Sequence, residues 1–267
     1  GDAVSTVIPL DLDADPDLPD AIAVRVVAEI DGTIHSLIVD TGGARSGLVD
    51  GPLTAGLERL TPQDPGGGGV FSRAGSTERV TARELRIGDF VVERPVFDLE
   101  PNPAAPSLLG LDVLRRHRLD FRFDAALLEL DAESPVDERR DLVQSSRGHP
   151  YVDVAWAGGA WPAIWDSGAS VSVIDRGVVA RHPEHFRPAG EAEGTDASGA
   201  ANELPLVLLP EVTIGGRRFA PSIAAVADIA GLTRPDDPPF ELILGMPVLR
   251  HADWAVDLRA GWWGYLA

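Results

Sequence analysis

The chain has 267 residues, no cysteine and a formal net charge of −19 at pH 7. Its length predicts two small domains or one large one, and the lack of cysteine excludes a disulfide framework and a thiolate zinc site. The 42 acidic against 23 basic residues argue against a nucleic-acid partner, which needs a basic face, and no stretch is long and apolar enough to span a membrane.

An acidic segment, Asp11–Asp17, lies within the first twenty residues, and we expect a solvated arm there. A calcium loop is the alternative, although the glycine and the closing glutamate of an EF-hand are missing. The residues before this segment lack the basic and apolar regions of a signal peptide, as if a leader had been removed. With the acidity and the missing cysteine, this favours a periplasmic or secreted protein, while a cytoplasmic location stays open.

A hairpin follows. Residues Val27–Val39 form two predicted strands around a tight Asp31-Gly32 turn, and the second strand runs directly into Asp40-Thr41-Gly42. A glycine-rich stretch, Gly66–Gly75, is interpreted either as a surface loop or as a hinged flap. The remaining predicted elements of this half are a strand at Thr77–Arg86, the apolar triplet Leu108–Gly110, a short helix, and strands at Leu119–Phe123 and Leu127–Leu130.

The segment Asp131–Asp141 is polar and charged and contains a proline, so it is predicted to be a linker. It separates two predicted lobes, residues 1–137 with Asp-Thr-Gly and residues 138–267 with Asp-Ser-Gly.

The second half repeats the first. Residues Asp153–Trp165 align without a gap on Val27–Val39 at an offset of 126 residues, with a predicted turn at Gly158-Gly159, and lead into Asp166-Ser167-Gly168. Further on, Ile243–Gly245 aligns on Leu108–Gly110 at an offset of 135 residues. Strands are predicted at Trp254–Leu258 and Trp262–Tyr265. The repeat predicts two copies of one mostly β unit, each with one short helix after its Leu-Gly pair.

One Asp-[Ser/Thr]-Gly triplet could be a turn or a helix N-cap, but two at equivalent places in two repeats indicate a shared site. Hydrolysing an amide without a metal needs a base for water and an acid for the carbonyl. Two carboxylates about 3 Å apart supply both, because like charges so close cannot both ionise. We therefore predict Asp40 and Asp166 as a catalytic pair. Support for their loops is predicted from the hydroxyls of Thr41 and Ser167 and from the turns at Gly42 and Gly168.

With these motifs the chain resembles the aspartic proteases of the retropepsin-like and pepsin-like group, and most of all bacterial retropepsin-like proteins, here with two lobes in one chain. The matching segments are Ile38–Gly42, Leu108–Gly110, Ile164–Ala169 and Ile243–Gly245. The resemblance implies a mostly β fold of two pseudo-twofold β-barrel lobes with a cleft between them. It also implies a peptide or protein substrate, no cofactor, and a monomer.

The chain departs from the family at Gly43, where alanine is usual, and at Trp165, which is bulky for its position. No tyrosine lies in either flap region, which favours the retropepsin-like side. A second flap candidate with better hairpin spacing is Gly194–Gly199, which leads into a strand predicted near Leu204–Leu208. The residues predicted to bind substrate are Gly43, Ala169, Gly194, Thr195, Asp196, Ala197, Ser198 and Gly199.

A zinc site at His182-Pro183-Glu184-His185 is the metal alternative, but the segment lacks the His-Glu-x-x-His pattern and Pro183 disrupts a helix there, so no metal is predicted. The tryptophans at 254, 262 and 263 are predicted to lie in the core or at the lobe interface. The function predicted is that of an aspartic endopeptidase. The alternatives are a catalytically silent peptide-binding or scaffold protein with the same fold, and a peptidase dedicated to one partner protein.

Overall fold

The structure, a computed structural model, describes residues 4–18, 20–63, 77–195 and 201–267. Strands make up most of it. The strands of the first half are β1 (Thr6–Pro9), β2 (Asp11–Ala14), β3 (Ile22–Ile30), β4 (Thr33–Val39), β5 (Gly47–Val49), β6 (Glu58–Gln63), β7 (Thr77–Thr81), β8 (Glu84–Ile87), β9 (Phe90–Glu93), β10 (Val96–Glu100), β11 (Ser107–Leu109), β12 (Arg118–Arg122) and β13 (Leu127–Leu130), with helix α1 (Leu111–Leu114).

The second half follows the same plan. Its strands are β14 (Arg140–Asp141), β15 (Val143–Gln144), β16 (Pro150–Trp156), β17 (Gly159–Trp165), β18 (Ser172–Asp175), β19 (Arg187–Thr195), β20 (Ala201–Leu209), β21 (Val212–Ile214), β22 (Arg217–Phe219), β23 (Ser222–Ala227), β24 (Leu242–Leu244), β25 (Trp254–Asp257) and β26 (Trp262–Tyr265). Its helices are α2 (Arg176–Arg181) and α3 (Met246–Leu249), with 3₁₀ turns at Pro183–His185 and Ala230–Leu232.

Each half forms one large sheet, and the two sheets have the same strand order. The first reads β6-β7-β10-β5-β11-β4-β3-β8-β9, with β2 added beside β3. The second reads β19-β20-β23-β18-β24-β17-β16-β21-β22, with β15 added beside β16. A third sheet joins the halves in the order β1-β13-β12-β25-β26-β14. The predicted fold class is therefore confirmed: the protein is mostly β, with two large sheets in a two-lobed arrangement.

Alternating apolar residues explain why the hairpin strands form. Along β3, every second residue from Ile22 to Ile30 is buried, as expected for a strand with one face on a core. The turn after it is Asp31-Gly32, with φ values of 46° and 83°. Both are positive, as a two-residue turn that matches strand twist requires.

The predicted turn at Gly158-Gly159 is wrong by one residue. Trp156 pairs with Gly159, so the loop residues are Ala157 and Gly158. The indole of Trp156 lies over this turn, and a Cβ at Gly158 would overlap it. Only glycine therefore fits beneath the ring.

The second half also has more helix than predicted. Besides α3, it contains α2, which begins where the carboxylate of Asp175 accepts a hydrogen bond of 2.9 Å from the Gly177 N–H. This helix ends before His182, and Pro183 starts the following 3₁₀ turn. Six residues carry too little apolar periodicity to reveal such a helix in advance.

The linker prediction is also wrong in part. Strand β14 lies within the predicted linker and pairs with β26, and Val136 forms an isolated bridge with Leu266. The lobe boundary after residue 137 stays a prediction.

Aromatic residues fill the space beneath the sheet that joins the halves. Trp165 is 1 % exposed, and its ring lies 5.2 Å from Phe121 of the first half and 5.7 Å from Trp254 of the second. The bulky residue before Asp166 thus packs between the halves. The tryptophans at 254, 262 and 263 are all buried at this sheet, as predicted.

Among the described residues, no helix has the length and apolar character needed to cross a membrane.

Candidate active site

Asp40 and Asp166 occupy equivalent positions at the ends of β4 and β17. Each backbone N–H donates a hydrogen bond to the strand alongside: Asp40 to the Leu109 carbonyl at 2.9 Å, and Asp166 to the Leu244 carbonyl at 3.0 Å. Those strands, β11 and β24, run parallel to β4 and β17. The apolar-apolar-glycine motifs therefore fix the start of each aspartate loop.

Four hydrogen bonds tie the two loops together. The N–H of Thr41 donates to Ser167 Oγ at 3.1 Å, and the N–H of Ser167 donates to Thr41 Oγ1 at 2.9 Å. The Thr41 hydroxyl donates to the Trp165 carbonyl at 2.9 Å, and the Ser167 hydroxyl donates to the Val39 carbonyl at 2.7 Å. Both side chains are fully buried, so each hydroxyl locks one half to the other.

Glycines bring the carboxylates together. The N–H of Gly42 donates to Asp40 Oδ1, and the N–H of Gly168 donates to Asp166 Oδ1, each at 2.8 Å. A Cβ at Gly42 would overlap the Asp166 carboxylate, and one at Gly168 would overlap that of Asp40. Each carboxylate therefore lies against the loop of the other half, and the two carboxyls hydrogen-bond to each other.

Burial controls the protonation of this pair. The exposed fraction is 9 % for Asp40 and 8 % for Asp166. Burial raises the pKa of both carboxyls, and the neighbouring Asp40 charge raises the pKa of Asp166 further. The pair therefore retains one proton under conditions that would ionise two separate carboxyls. Such a pair can take a proton from water with one member and give one with the other.

Two serines that sequence reasoning missed support the loops. Ser46 Oγ accepts a hydrogen bond of 2.9 Å from the Gly110 N–H, and Ser172 Oγ accepts one of 3.0 Å from the Gly245 N–H. Their positions differ by the same offset of 126 residues as the aspartates. Extending the repeat alignment six residues past each aspartate would have found them.

The predicted neighbours Gly43 and Ala169 support the following helices. The Gly43 carbonyl accepts a 2.8 Å hydrogen bond from the Leu111 N–H, and the Ala169 carbonyl accepts one of 2.9 Å from Met246. A Cβ at Gly43 would stand 2.7 Å from Asp40 Oδ2, too close without a shift of the carboxylate. Ala169, at the equivalent position in the second half, carries the Cβ that Gly43 lacks. Their contribution to substrate binding stays a prediction.

The second flap candidate lies on a hairpin of β19 and β20, in which Thr195 pairs with Ala201. Gly194 and Thr195 belong to β19, while Asp196, Ala197, Ser198 and Gly199 lie outside the described residues. The first flap candidate, Gly66–Gly75, also lies outside them. Their role as flaps stays a prediction.

The histidines of the zinc alternative have aromatic surroundings. The rings of His182 and His185 each pack edge-on against Trp156, with centroids 5.1 Å apart. Within the described ranges, no group of three or more potential ligands is placed to hold a metal ion.

Known proteins resemble this chain in sequence and in fold. Residues 152–248 match the family model described as aspartyl protease. Among solved structures, the aspartic proteinase from Irpex lacteus is similar over 99 % of this chain and 98 % of its own, with a TM-score of 0.55 and 13 % identity. No curated protein matches the chain. The resemblance to pepsin-like and retropepsin-like aspartic proteases is thus confirmed, and the fold is that of a two-lobed aspartic proteinase.

Proposed function

We propose that the protein is an aspartic endopeptidase that hydrolyses peptide bonds with a water molecule activated between Asp40 and Asp166. The observation that carries this proposal is the buried pair of carboxyls, hydrogen-bonded to each other where the two halves meet. The aspartyl protease match over residues 152–248 supports it.

Burial and the contact between the two carboxyls keep one proton on the pair, so that one member begins as the acid and the other as the base. With the proton on Asp166, Asp40 is the base. Asp40 takes a proton from water as the water oxygen bonds to the peptide carbonyl carbon, and Asp166 gives its proton to the carbonyl oxygen. The C–N bond of the tetrahedral intermediate then breaks as Asp40 passes its proton to the leaving nitrogen. At the same time Asp166 takes a proton back from a hydroxyl of the intermediate, which re-forms a carbonyl as part of the new carboxyl group. The carboxyls thus exchange acid and base roles in each turnover.

The same geometry weighs against a silent binding protein. Burying two carboxyls in contact destabilises a fold, because one must stay protonated or both must repel. A protein that only binds peptide gains nothing from this arrangement. Both aspartates and both supporting hydroxyls are nevertheless present.

A library of peptides tests the proposal better than a single protein, because a peptidase dedicated to one partner could ignore a generic substrate. We expect cleavage between about pH 3 and pH 7 that a pepstatin-type inhibitor blocks. Asp40→Asn should lower kcat/KM at least about 1,000-fold, because asparagine cannot accept the proton from water. The matched control is Asp89→Asn, the same change at an exposed turn. An Asp40→Asn enzyme as fast as the wild type would refute the mechanism.

The pH profile is a second measure of the pair. One proton on the pair is required, so activity falls at low pH when both carboxyls are protonated. It also falls at high pH when the last proton leaves. Because the pKa of Asp166 is raised, this upper loss lies above the pH at which an ordinary aspartate ionises.

Three further properties belong to this proposal. The protein acts as a monomer because one chain supplies both carboxylates. The matching strand orders are explained by an internal duplication. Its location is periplasmic or extracellular, which fractionation of the source cells tests.

A further inference from the structure

A small cavity lies in the second half, beside the strand that leads into Asp166. Its volume is about 10 Å³, roughly that of one enclosed water or one oxygen atom of a ligand. Ile164, two residues before Asp166, lines it together with His149. Burial and the charge of Arg147 together lower the pKa of His149 to about 4, and the backbone of Gly42 opposes this shift. A backbone group with that effect is an acceptor, so the Gly42 carbonyl faces the imidazole.

Two polar atoms of the cavity-lining residues are buried without a hydrogen-bond partner: Arg147 Nε and Thr233 Oγ1. The ring of His149, only 2 % exposed, has the Gly42 carbonyl as a nearby acceptor, although Nε2 makes no short hydrogen bond. A buried donor left unpaired is costly, so an acceptor at this cavity would stabilise both atoms.

The hydrogen bonds around Ser145 identify the tautomer of His149. Ser145 Oγ accepts from the backbone N–H of His149 at 3.0 Å and from that of Arg147 at 3.3 Å. Its own hydrogen is then directed to His149 Nδ1, 3.1 Å away. Nδ1 is therefore the acceptor, and the proton of the neutral ring is on Nε2. Arg147 Nε and Thr233 Oγ1 can both donate, so a ligand that accepts hydrogen bonds fits this cavity.

The charge at the cavity points to an anion. Arg147 and Arg234 both line it, and neither forms an ion pair shorter than 4.0 Å with a described residue. The one acid of the lining, Asp237, is already engaged: its Oδ1 accepts from the Ser146 N–H at 2.6 Å, and its Oδ2 accepts from the Ser146 hydroxyl at 3.0 Å. Arg147 is half-buried, so its lack of a partner favours a ligand that brings negative charge.

We propose that this cavity is a subsite for a carboxylate of the substrate, contacted by Arg147 and Thr233 and by Arg234 at its mouth. This inference rests on the proposed function. The cavity has room for one carboxylate oxygen, which can accept from both unpaired donors, and its negative charge distinguishes it from a water molecule beside the two arginines. Tyr151 and Phe240 provide an apolar wall for the methylene groups of an acidic side chain. The phenol of Tyr151 already donates to the Pro238 carbonyl at 3.0 Å.

The subsite belongs to one side of the cleft. At the repeat offset of 126 residues, Arg147 and His149 correspond to Ala21 and Ala23. Alanine offers neither charge nor a donor, so the carboxylate preference applies to one side of the cleaved bond. The enzyme should therefore distinguish a peptide with an acidic residue before the cut from one with that residue after it.

Matched fluorogenic peptides test this. One series carries a single Glu or Gln at each position around the cut, and a second ends at those positions with a free carboxylate or an amide. For one position, or for the free terminus, we expect kcat/KM at least about tenfold higher with the carboxylate. The series that shows the preference tells a side-chain carboxylate from a terminal one.

Arg147→Gln and Arg234→Gln should reduce that preference towards one, because each removes a positive charge that faces the carboxylate. Circular dichroism of each variant shows whether it is folded. The control is Arg86→Gln, which changes an exposed arginine in the first half. Efficient cleavage by the wild type without any carboxylate preference would overturn the subsite and leave the endopeptidase intact.

Binding separates the subsite from turnover. The Asp40→Asn variant should bind the Glu peptide about tenfold more tightly than the Gln peptide, as measured by fluorescence anisotropy. If no peptide is cleaved but this ratio holds, the subsite stands and the enzyme proposal fails. Equal binding of the two peptides would overturn the subsite whatever the activity.

Discussion

The loops of Asp40 and Asp166 are held by nearly the same contacts, but their surroundings differ between the two halves. In both loops the backbone N–H of the aspartate bonds to the neighbouring strand, and a serine hydroxyl receives the glycine N–H of the adjacent motif. The differences begin one contact further out. Ser46 donates to Asp112 at 2.7 Å, whereas the position equivalent to Asp112, 135 residues on, is Pro247.

The differences grow with distance from the pair. Arg147 and His149 line the cavity, and His149 lies beside Gly42, whereas alanines occupy the equivalent positions in the first half. At the sheet that joins the halves, Asp124 and Asp253 hydrogen-bond to each other, while their equivalents at the offset of 135 residues are Arg259 and Arg118. Contacts that hold the carboxylates directly are thus doubled, and contacts further out are not. The pair needs two equal halves, but an extended peptide, which is the proposed substrate, has direction and would meet the two halves differently.

The largest effect should be the same in both halves. Asp166→Asn should lower kcat/KM by at least about 1,000-fold, as Asp40→Asn does, because the mechanism needs both carboxyls. Kinetics of the two variants on one peptide measure this. A variant with more than about a tenth of wild-type activity would break the equivalence of the two loops and the mechanism with it.

The next effect concerns the crossing hydrogen bonds. Ser167→Ala removes a donor to the Val39 carbonyl and an acceptor for the Thr41 N–H, both buried. The free energy of unfolding should fall by about 2–4 kcal/mol, measured by urea denaturation. Thr41→Ser keeps its hydroxyl and loses one methyl group, so about 1 kcal/mol is expected. Equal losses would mean that packing, and not the hydroxyls, joins the loops.

The supporting serines should show a smaller and unequal effect. Ser46→Ala and Ser172→Ala each leave a buried glycine N–H without its partner, at a cost of about 1–2 kcal/mol. Ser46→Ala should cost more, because it also removes a hydroxyl donor to Asp112. Thermal unfolding of the two variants compares them. A larger loss in Ser172→Ala would contradict the difference drawn between the halves.

The smallest effect depends on pH. Burial and the hydrogen bond with Asp124 raise the pKa of Asp253 to about 6. Since the folded pKa lies above the unfolded one, the protonated form stabilises the fold at low pH, and this stabilisation is lost as pH rises through about 6. At pH 7.5 the free energy of unfolding of Asp253→Asn should therefore exceed that of the wild type by about 1 kcal/mol, a figure that allows for solvent screening. At pH 4.5 the two proteins should be equally stable. Asp89→Asn should show no such difference, and a gap between Asp253→Asn and wild type that is independent of pH would exclude this origin.

The sequence predicted the strands and the carboxylate pair well, because both depend on local patterns and on a repeat. Alternating apolar residues define β3 and β4, and the aligned triplets at Asp40 and Asp166 require two halves that face each other. Prediction failed in two places. The turn was predicted at Gly158-Gly159, although the repeat offset of 126 residues carries Asp31-Gly32 onto Ala157-Gly158, where the turn lies. Strand β14 formed in a predicted linker because the edge of β26 was available to it.

By itself, the sequence determined that there are two equivalent halves, each ending a strand in an aspartate loop, because strand and turn formation depend on neighbouring residues. Only the tertiary structure decided what surrounds those loops. Ser167 reaches Val39, 128 positions earlier in the chain, and His149 lies beside Gly42. Arg147 Nε and Thr233 Oγ1 are unpaired because the fold removes them from water without supplying an acceptor. No local pattern encodes such a deficit, since it is a property of the space between segments.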